Sequence, residues 1–114
     1  MTEDLPPGSE ATDLTLADVL AGAAEDLADV AATSADGTTT WRRGERPFAT
    51  LTATRAEFRL DPVVAGAALR TPDTAPSPRG PDWVAFGPAI LDDGAVDRAE
   101  AWFLSAHRRA ASGR

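Results

Sequence analysis

Between Phe48 and Leu60 apolar and polar residues alternate, but the parity of the alternation changes part-way along. Ala49, Leu51 and Ala53 are apolar at odd positions, whereas Ala56, Phe58 and Leu60 are apolar at even ones. Successive side chains of a strand point to opposite faces, so an unbroken strand here would turn its core face to water. A tight turn or bulge near Ala53-Thr54-Arg55 is therefore required, and a hairpin is the favoured solution. This constraint makes the middle of the chain an antiparallel sheet.

The flanking segments follow from their own patterns. Thr38 to Arg43 is rich in β-branched residues and predicts a strand, Gly44 opens a turn, and Pro47 limits the next strand to starting at about Phe48. Trp83-Val-Ala-Phe86 is apolar on both parities, the mark of a strand covered on both faces. Upstream, Leu16, Val19, Leu20, Ala23, Leu27 and Val30 form one helical stripe. They predict a helix from Leu14 that fades near Thr33-Ser34, before Asp36-Gly37, with Thr15 and Asp18 as a capping box. Asp61-Pro62 predicts a short helix to about Leu69, with Val64 and Ala68, or Ala65 and Leu69, facing inward. A closing helix from about Asp93 to Ala110 carries Val96, Ala99, Trp102, Phe103, Ala106 and Ala110 on one stripe. Asp92 or Asp93 can cap its start, and Arg108 and Arg109 suit the negative end of its dipole. Residues 71–82 hold Pro72, Pro76, Pro78, Gly80 and Pro81 and predict a loop, either a flap or a functional connection.

Sequential strands between helices predict an α+β fold. Its antiparallel β-sheet has about four strands, with N-terminal and C-terminal helices packed on it and a short helix after the hairpin. Residues 1–13, with Pro6, Pro7, Gly8 and four acids, predict a disordered acidic tail, and residues 14–111 a single domain.

Little in this sequence points to catalysis. It holds no Cys, Tyr or Lys, and its single His, His107, is the only candidate base for an enzyme. Disulfides, thiolate zinc sites and cysteine nucleophiles are excluded. Asp92-Asp93 is explained by capping, so neither a metal nor a cofactor is expected. The acidic N-terminus lacks the features of a signal peptide, and no run approaches the roughly 18 apolar residues of a membrane span. A cytoplasmic protein without a membrane partner is the expectation.

The net charge of −7 is unevenly placed: residues 1–36 carry nine acids and no base. Residues 41–60 instead carry five of the eleven arginines. Trp41, Arg42, Arg43, Arg46, Arg55 and Arg59 are the candidate binding residues, because guanidinium groups can pair with anions and stack on aromatic or base planes. The acidic segment is expected to lie near this basic surface and screen it, or simply to keep the protein soluble. Trp83 and the proline-rich loop, with Trp102 and Phe103, form a second candidate as the lip of an apolar groove. In so alanine-rich a chain, however, Trp83 and Trp102 are favoured as core fillers. Trp41, between Thr and Arg, is the tryptophan expected to be partly exposed.

Taken together, several stretches resemble the MmcQ/YjbR-like family of small bacterial α+β proteins, over roughly residues 38–110. They are Gly44 ahead of Pro47-Phe48-Ala49, the strand Ala56-Glu-Phe-Arg-Leu60 running into Asp61-Pro62, the proline-rich connection, Trp83-Val84, and the helix near Ala101 to His107. Two places depart from the family pattern. Glu45 or Arg46 stands where the family often has Lys, and Ser105 is followed by Ala106-His107 where the family often has a Ser-Tyr pair. The resemblance implies a fold whose two antiparallel wings have been likened to a DNA-binding surface. The expected function is that of a non-enzymatic protein-interaction or ligand-binding module. A protein or small anionic partner is favoured over DNA, because the acidic net charge opposes a polyanion. DNA association through the arginine-rich face and an enzyme using His107 are the alternatives.

Overall fold

Thr15 sets the start of the first helix through a reciprocal cap. Its Oγ1 accepts from the Asp18 N–H at 3.1 Å, and Asp18 Oδ2 accepts from the Thr15 N–H at 3.0 Å. The structure is a computed structural model that describes residues 14–111; the tail predicted over 1–13 lies outside the described residues. Helix α1 (Leu16–Glu25) buries Leu16, Val19 and Leu20. It ends well short of the predicted Thr33-Ser34. No basic residue occupies its last turn, where Glu25 and Asp26 face the negative end of the dipole. Asp29 then takes a left-handed conformation (φ 63°), which Asp tolerates better than most residues, and the chain reverses.

The rest of the predicted helix is strand β1 (Val30–Ala35), which pairs with β2 (Thr38–Arg43). Asp36 (φ 55°) and Gly37 (φ 82°) form the two-residue connection, the left-handed pair that joins tight hairpins. Strand β3 (Arg46–Thr52) begins before Phe48, with Pro47 opposite Arg42 where the register of β2 and β3 shifts. Trp41 pairs with Ala49 and Arg42 with Pro47, leaving Phe48 as the extra residue of a bulge. The bulge lets Phe48 and Ala49, adjacent in sequence, both face the core. Strand β4 (Arg55–Arg59) follows a two-residue turn in which Ala53 takes φ 55°. The parity change between Leu51 and Ala56 is thus a hairpin, and those two residues are cross-strand partners.

Helix α2 (Pro62–Ala68) is capped by Asp61 and buries Ala65 and Ala68, with Leu69 outside. Within the predicted loop, β5 (Thr74–Pro76) pairs with β6 (Trp83–Phe86). Helix α3 (Asp93–Ala111) starts at Asp92, whose Oδ1 accepts from the Ala95 N–H at 2.9 Å. The fold is α+β, with six antiparallel strands in the order β1-β2-β3-β4-β6-β5 rather than about four. The two additional strands are β1, where the apolar positions read equally as a helical stripe, and β5, hidden among prolines.

Helix α3 packs on one face of the sheet, and α1 packs on α3. Phe103 is the hub of this layer. Its ring meets Trp41 edge-on at 5.4 Å and Phe48 at 5.1 Å, while Trp102 meets Phe86 at 5.1 Å. Trp41 is therefore a core residue, 4% exposed, contrary to the expectation of partial exposure. Arg109 fastens the far end of α3. Its guanidinium donates to the Leu60 carbonyl and, at 2.8 Å, to Asp82 Oδ2, while the Leu60 N–H donates to the Asp82 carbonyl at 2.8 Å. Replacing the hub, Phe103→Ala, is expected to destabilise the chain by about 3–5 kcal/mol. Urea unfolding followed by tryptophan fluorescence measures this.

Candidate functional site

Among the described residues no helix lies over the second face of the sheet. Its side chains are fixed by alternation: Phe58 and Val84 face α3, so their neighbours Glu57 and Ala85 face away. The register aligns Thr33, Thr40, Thr50, Glu57, Ala85 and Ala75 as one row across all six strands. Glu57 sits in the middle of this row, and it is buried.

What buries it is the connection between β5 and β6, which folds back over the open face. Ser77 N–H donates to the Trp83 carbonyl at 3.1 Å, and Arg79 N–H donates to Ser77 Oγ at 3.1 Å. This turn delivers two donors to the carboxylate. Ser77 Oγ lies 2.5 Å from Glu57 Oε2, and Arg79 Nε lies 2.6 Å from Oε1. Thr50 Oγ1 donates to Oε1 from the neighbouring strand at 3.0 Å. Arg55 Nη2 is 3.9 Å from Oε2, close enough for attraction but not for a hydrogen bond. The Arg79 guanidinium also lies over the Trp83 ring, 5.7 Å from its centroid.

Burial by itself would raise the Glu57 pKa. The hydrogen bonds from Ser77, Arg79 and Thr50, with the charge of Arg79, outweigh that effect and hold the carboxyl below its ordinary value of 4.5. The anionic form is the one the site is built around. Beside it Thr52, Arg55, Glu57, Pro78 and Arg79 line an open concavity of about 420 Å³.

The six residues singled out in the sequence do not converge. Arg42, Arg55 and Arg59 share the open face, and Arg42 Nη1 donates to Thr33 Oγ1 at 2.9 Å. Trp41 and Arg43 face the helices instead, and Arg46 is exposed beside Arg43 at the β2–β3 hairpin. Arg43 Nη1 donates to the His107 carbonyl at 3.1 Å and lies 3.2 Å from His107 Nδ1. Nε2 of the same ring is 3.0 Å from the Ala28 carbonyl. A guanidinium only donates and a carbonyl only accepts, so Nδ1 is the acceptor and Nε2 carries the proton. With its ring also packed on Phe48, buried His107 ties α3 to β2 and to the α1–β1 connection. Both its nitrogens are thereby engaged.

Trp102 and Phe103 are core residues, and Trp83 lies half-buried under Arg79 on the opposite side of the sheet. The three do not line one groove. The acids of α1 belong to the helical layer, across the sheet from Arg42, Arg55 and Arg59, while the four acids of residues 1–13, part of the expected screen, lie outside the described residues. Among the described residues no cluster of three or more His, Asp or Glu could hold a metal ion, and no helix is long and apolar enough to cross a membrane.

Sequence reasoning missed Thr50, Ser77 and Arg79, and counted Glu57 only as a charge offsetting its arginine neighbours. A glutamate at the centre of a strand between two arginines was the available signal. No family model, curated protein or solved structure matches the chain.

Glu57→Gln is expected to lower stability at pH 7 by on the order of 2 kcal/mol, the worth of hydrogen bonds to a charged group. A carboxyl held below its unfolded pKa stabilises the fold above that value, and the contribution is lost as pH falls through the lowered one. The gap between the two chains should therefore persist from neutral pH to about 4.5 and close below it. Urea midpoints at neutral and acidic pH check this; a gap independent of pH would show that the anionic form is not what matters.

Proposed function

We propose that the chain is a non-catalytic binding module of the MmcQ/YjbR-like type, cytoplasmic, which takes an anionic group in the concavity beside Glu57. The supporting observation is the way Glu57 presents Arg79. Its carboxylate takes the Nε–H, while the terminal nitrogens of Arg79 make no hydrogen bond among the described residues and lie at the rim with Arg55. Two guanidinium groups against one carboxylate leave a local charge of +1, and fork-shaped donors suit a carboxylate or phosphate. Pro78 and Thr52 add a small apolar and polar lining. Such chemistry fits an acidic side chain of a protein partner or a small anion equally.

DNA association fits less well. Arg42, Arg55, Arg59 and Arg79 lie on or over the same face, but Glu57 sits among them and the chain carries −7 overall. Duplex binding depends on neutralising several phosphates in a row, and its affinity falls steeply with salt. Catalysis through His107 has no support in the geometry, since both ring nitrogens are engaged away from the open face.

Titration with inorganic phosphate and with acetate, followed by amide NMR shifts, tests the reading. Shifts are expected at Thr52, Arg55, Glu57 and Arg79, with affinity falling about tenfold in Arg79→Ala or Arg55→Ala. Shifts spread evenly over the surface, or unaltered in both variants, would remove the concavity as a binding site. Retained duplex-DNA affinity that drops with salt and with loss of Arg42 and Arg59 would favour the nucleic-acid reading instead.

A further inference from the structure

The two edges of the sheet are treated differently. At one end β5 offers three residues, Thr74–Pro76, and Pro76 has no N–H to donate, so this edge is short and blunted. At the other end β1 offers six, Val-Ala-Ala-Thr-Ser-Ala, without a charge or a proline, and from Ala31 to Ala35 all are exposed. Among the described residues nothing pairs with its outer side.

Which backbone groups of β1 are unpaired follows from the hairpin. In a two-residue connection the flanking residues, here Ala35 and Thr38, exchange both their hydrogen bonds, and bonded and non-bonded pairs then alternate. Ala35, Thr33 and Ala31 therefore point their N–H and C=O groups at β2, while Ser34, Ala32 and Val30 point theirs outward. The short Ser34 Oγ–Thr39 Oγ1 contact, 2.9 Å, agrees with Ser34 and Thr39 being a close, non-bonded pair.

We propose that this edge pairs with β1 of a second copy of the chain, antiparallel, about a two-fold axis through Ala32. In that register Ala32 meets Ala32 of the second copy, and Val30 meets Ser34. All three are outward-pointing residues in both copies, so three pairs form about six hydrogen bonds. They also share the helix-side face of the sheet, so the two sheets join into one with the helices of both copies on the same side. Charge disfavours one neighbouring register. Asp29 and Asp36 bracket the strand; here they fall opposite Ala35 and Ala28 of the second copy, whereas a one-residue slip sets Asp29 against Asp36 and turns bonded groups to non-bonded ones. The small side chains of Ala31, Ala32 and Ser34 put no bulk in the way. The strand is thus its own complement in backbone and face.

The full chain is expected to sediment as a concentration-dependent dimer, tightening as salt screens the net −7. Ala32→Lys places like charges opposite each other at the axis and should raise the dimer Kd roughly fivefold or more, although it lowers the overall repulsion of an acidic chain. Ala32→Glu should do the same alone, and mixing the two variants should restore dimerisation as a heterodimer, because only this register sets position 32 against itself. Circular dichroism confirms that each variant is folded, and the mixture guards against a misfolded one. A chain that stays monomeric to about 1 mM overturns the proposal and leaves the edge to a strand from another protein. A dimer indifferent to both substitutions, or a mixture no tighter than either variant alone, overturns it too, placing the contact elsewhere or in another register.

Discussion

A carboxylate withdrawn from water must be met by donors, and in this molecule that requirement shapes the whole open face of the sheet. Glu57 stands in the middle of β4, where either side chain of an alternating strand must face something. Three hydroxyl or guanidinium donors reach it from two segments: Thr50 from β3, and Ser77 and Arg79 from the β5–β6 connection. Removing one would leave the charge partly uncompensated, so the group behaves as a unit rather than as separable pairs. The connection that looks like a loose proline-rich loop is thus held at a defined place, and Trp83 is half-covered by the arginine that does it.

The opposite face works by volume. In a chain so rich in alanine, the space between sheet and helices is filled by a few large rings: Trp41, Phe48, Phe58, Phe86, Trp102 and Phe103. The bulge at Phe48 is part of that economy, since it turns two successive residues of β3 inward where regular alternation would supply one. Alanines at the facing positions, Ala49, Ala56, Ala99 and Ala106, then let the helices approach closely.

Where the sequence was readable, the reason was local. The reversal of parity between Leu51 and Ala56 admits few solutions, and the hairpin is one of them. The caps at Thr15, Asp61 and Asp92 depend on residues within three positions of one another. What was not readable depended on contacts between distant segments. Leu27 and Val30 fit a helical stripe as well as they fit a turn and a strand, and the choice rests on Asp29 adopting a left-handed conformation and on β2 offering a partner. Trp41 has polar neighbours in sequence, but its burial is decided by Phe103, far along the chain. Of the proposed arginine surface, the face assignments of Arg42, Arg55 and Arg59 follow from alternation. Arg43 was lost to it because β2 turns that side chain toward His107.

Residues 61–81 leave the sheet at the end of β4 and return to it at Asp82, beside the point of departure. The Leu60–Asp82 backbone bond closes this excursion at its base, and Arg109 clamps both of its feet to α3. For a segment whose ends are already held together, extra length costs little, about 0.6 kcal/mol for each doubling of a flexible loop. The excursion carries α2, β5 and two of the three donors to Glu57, while β4 and β6 pair directly with each other. The fold thereby separates a frame from an appendage hung on it at two adjacent points, and the concavity forms where they meet: Thr52, Arg55 and Glu57 come from the frame, Pro78 and Arg79 from the appendage.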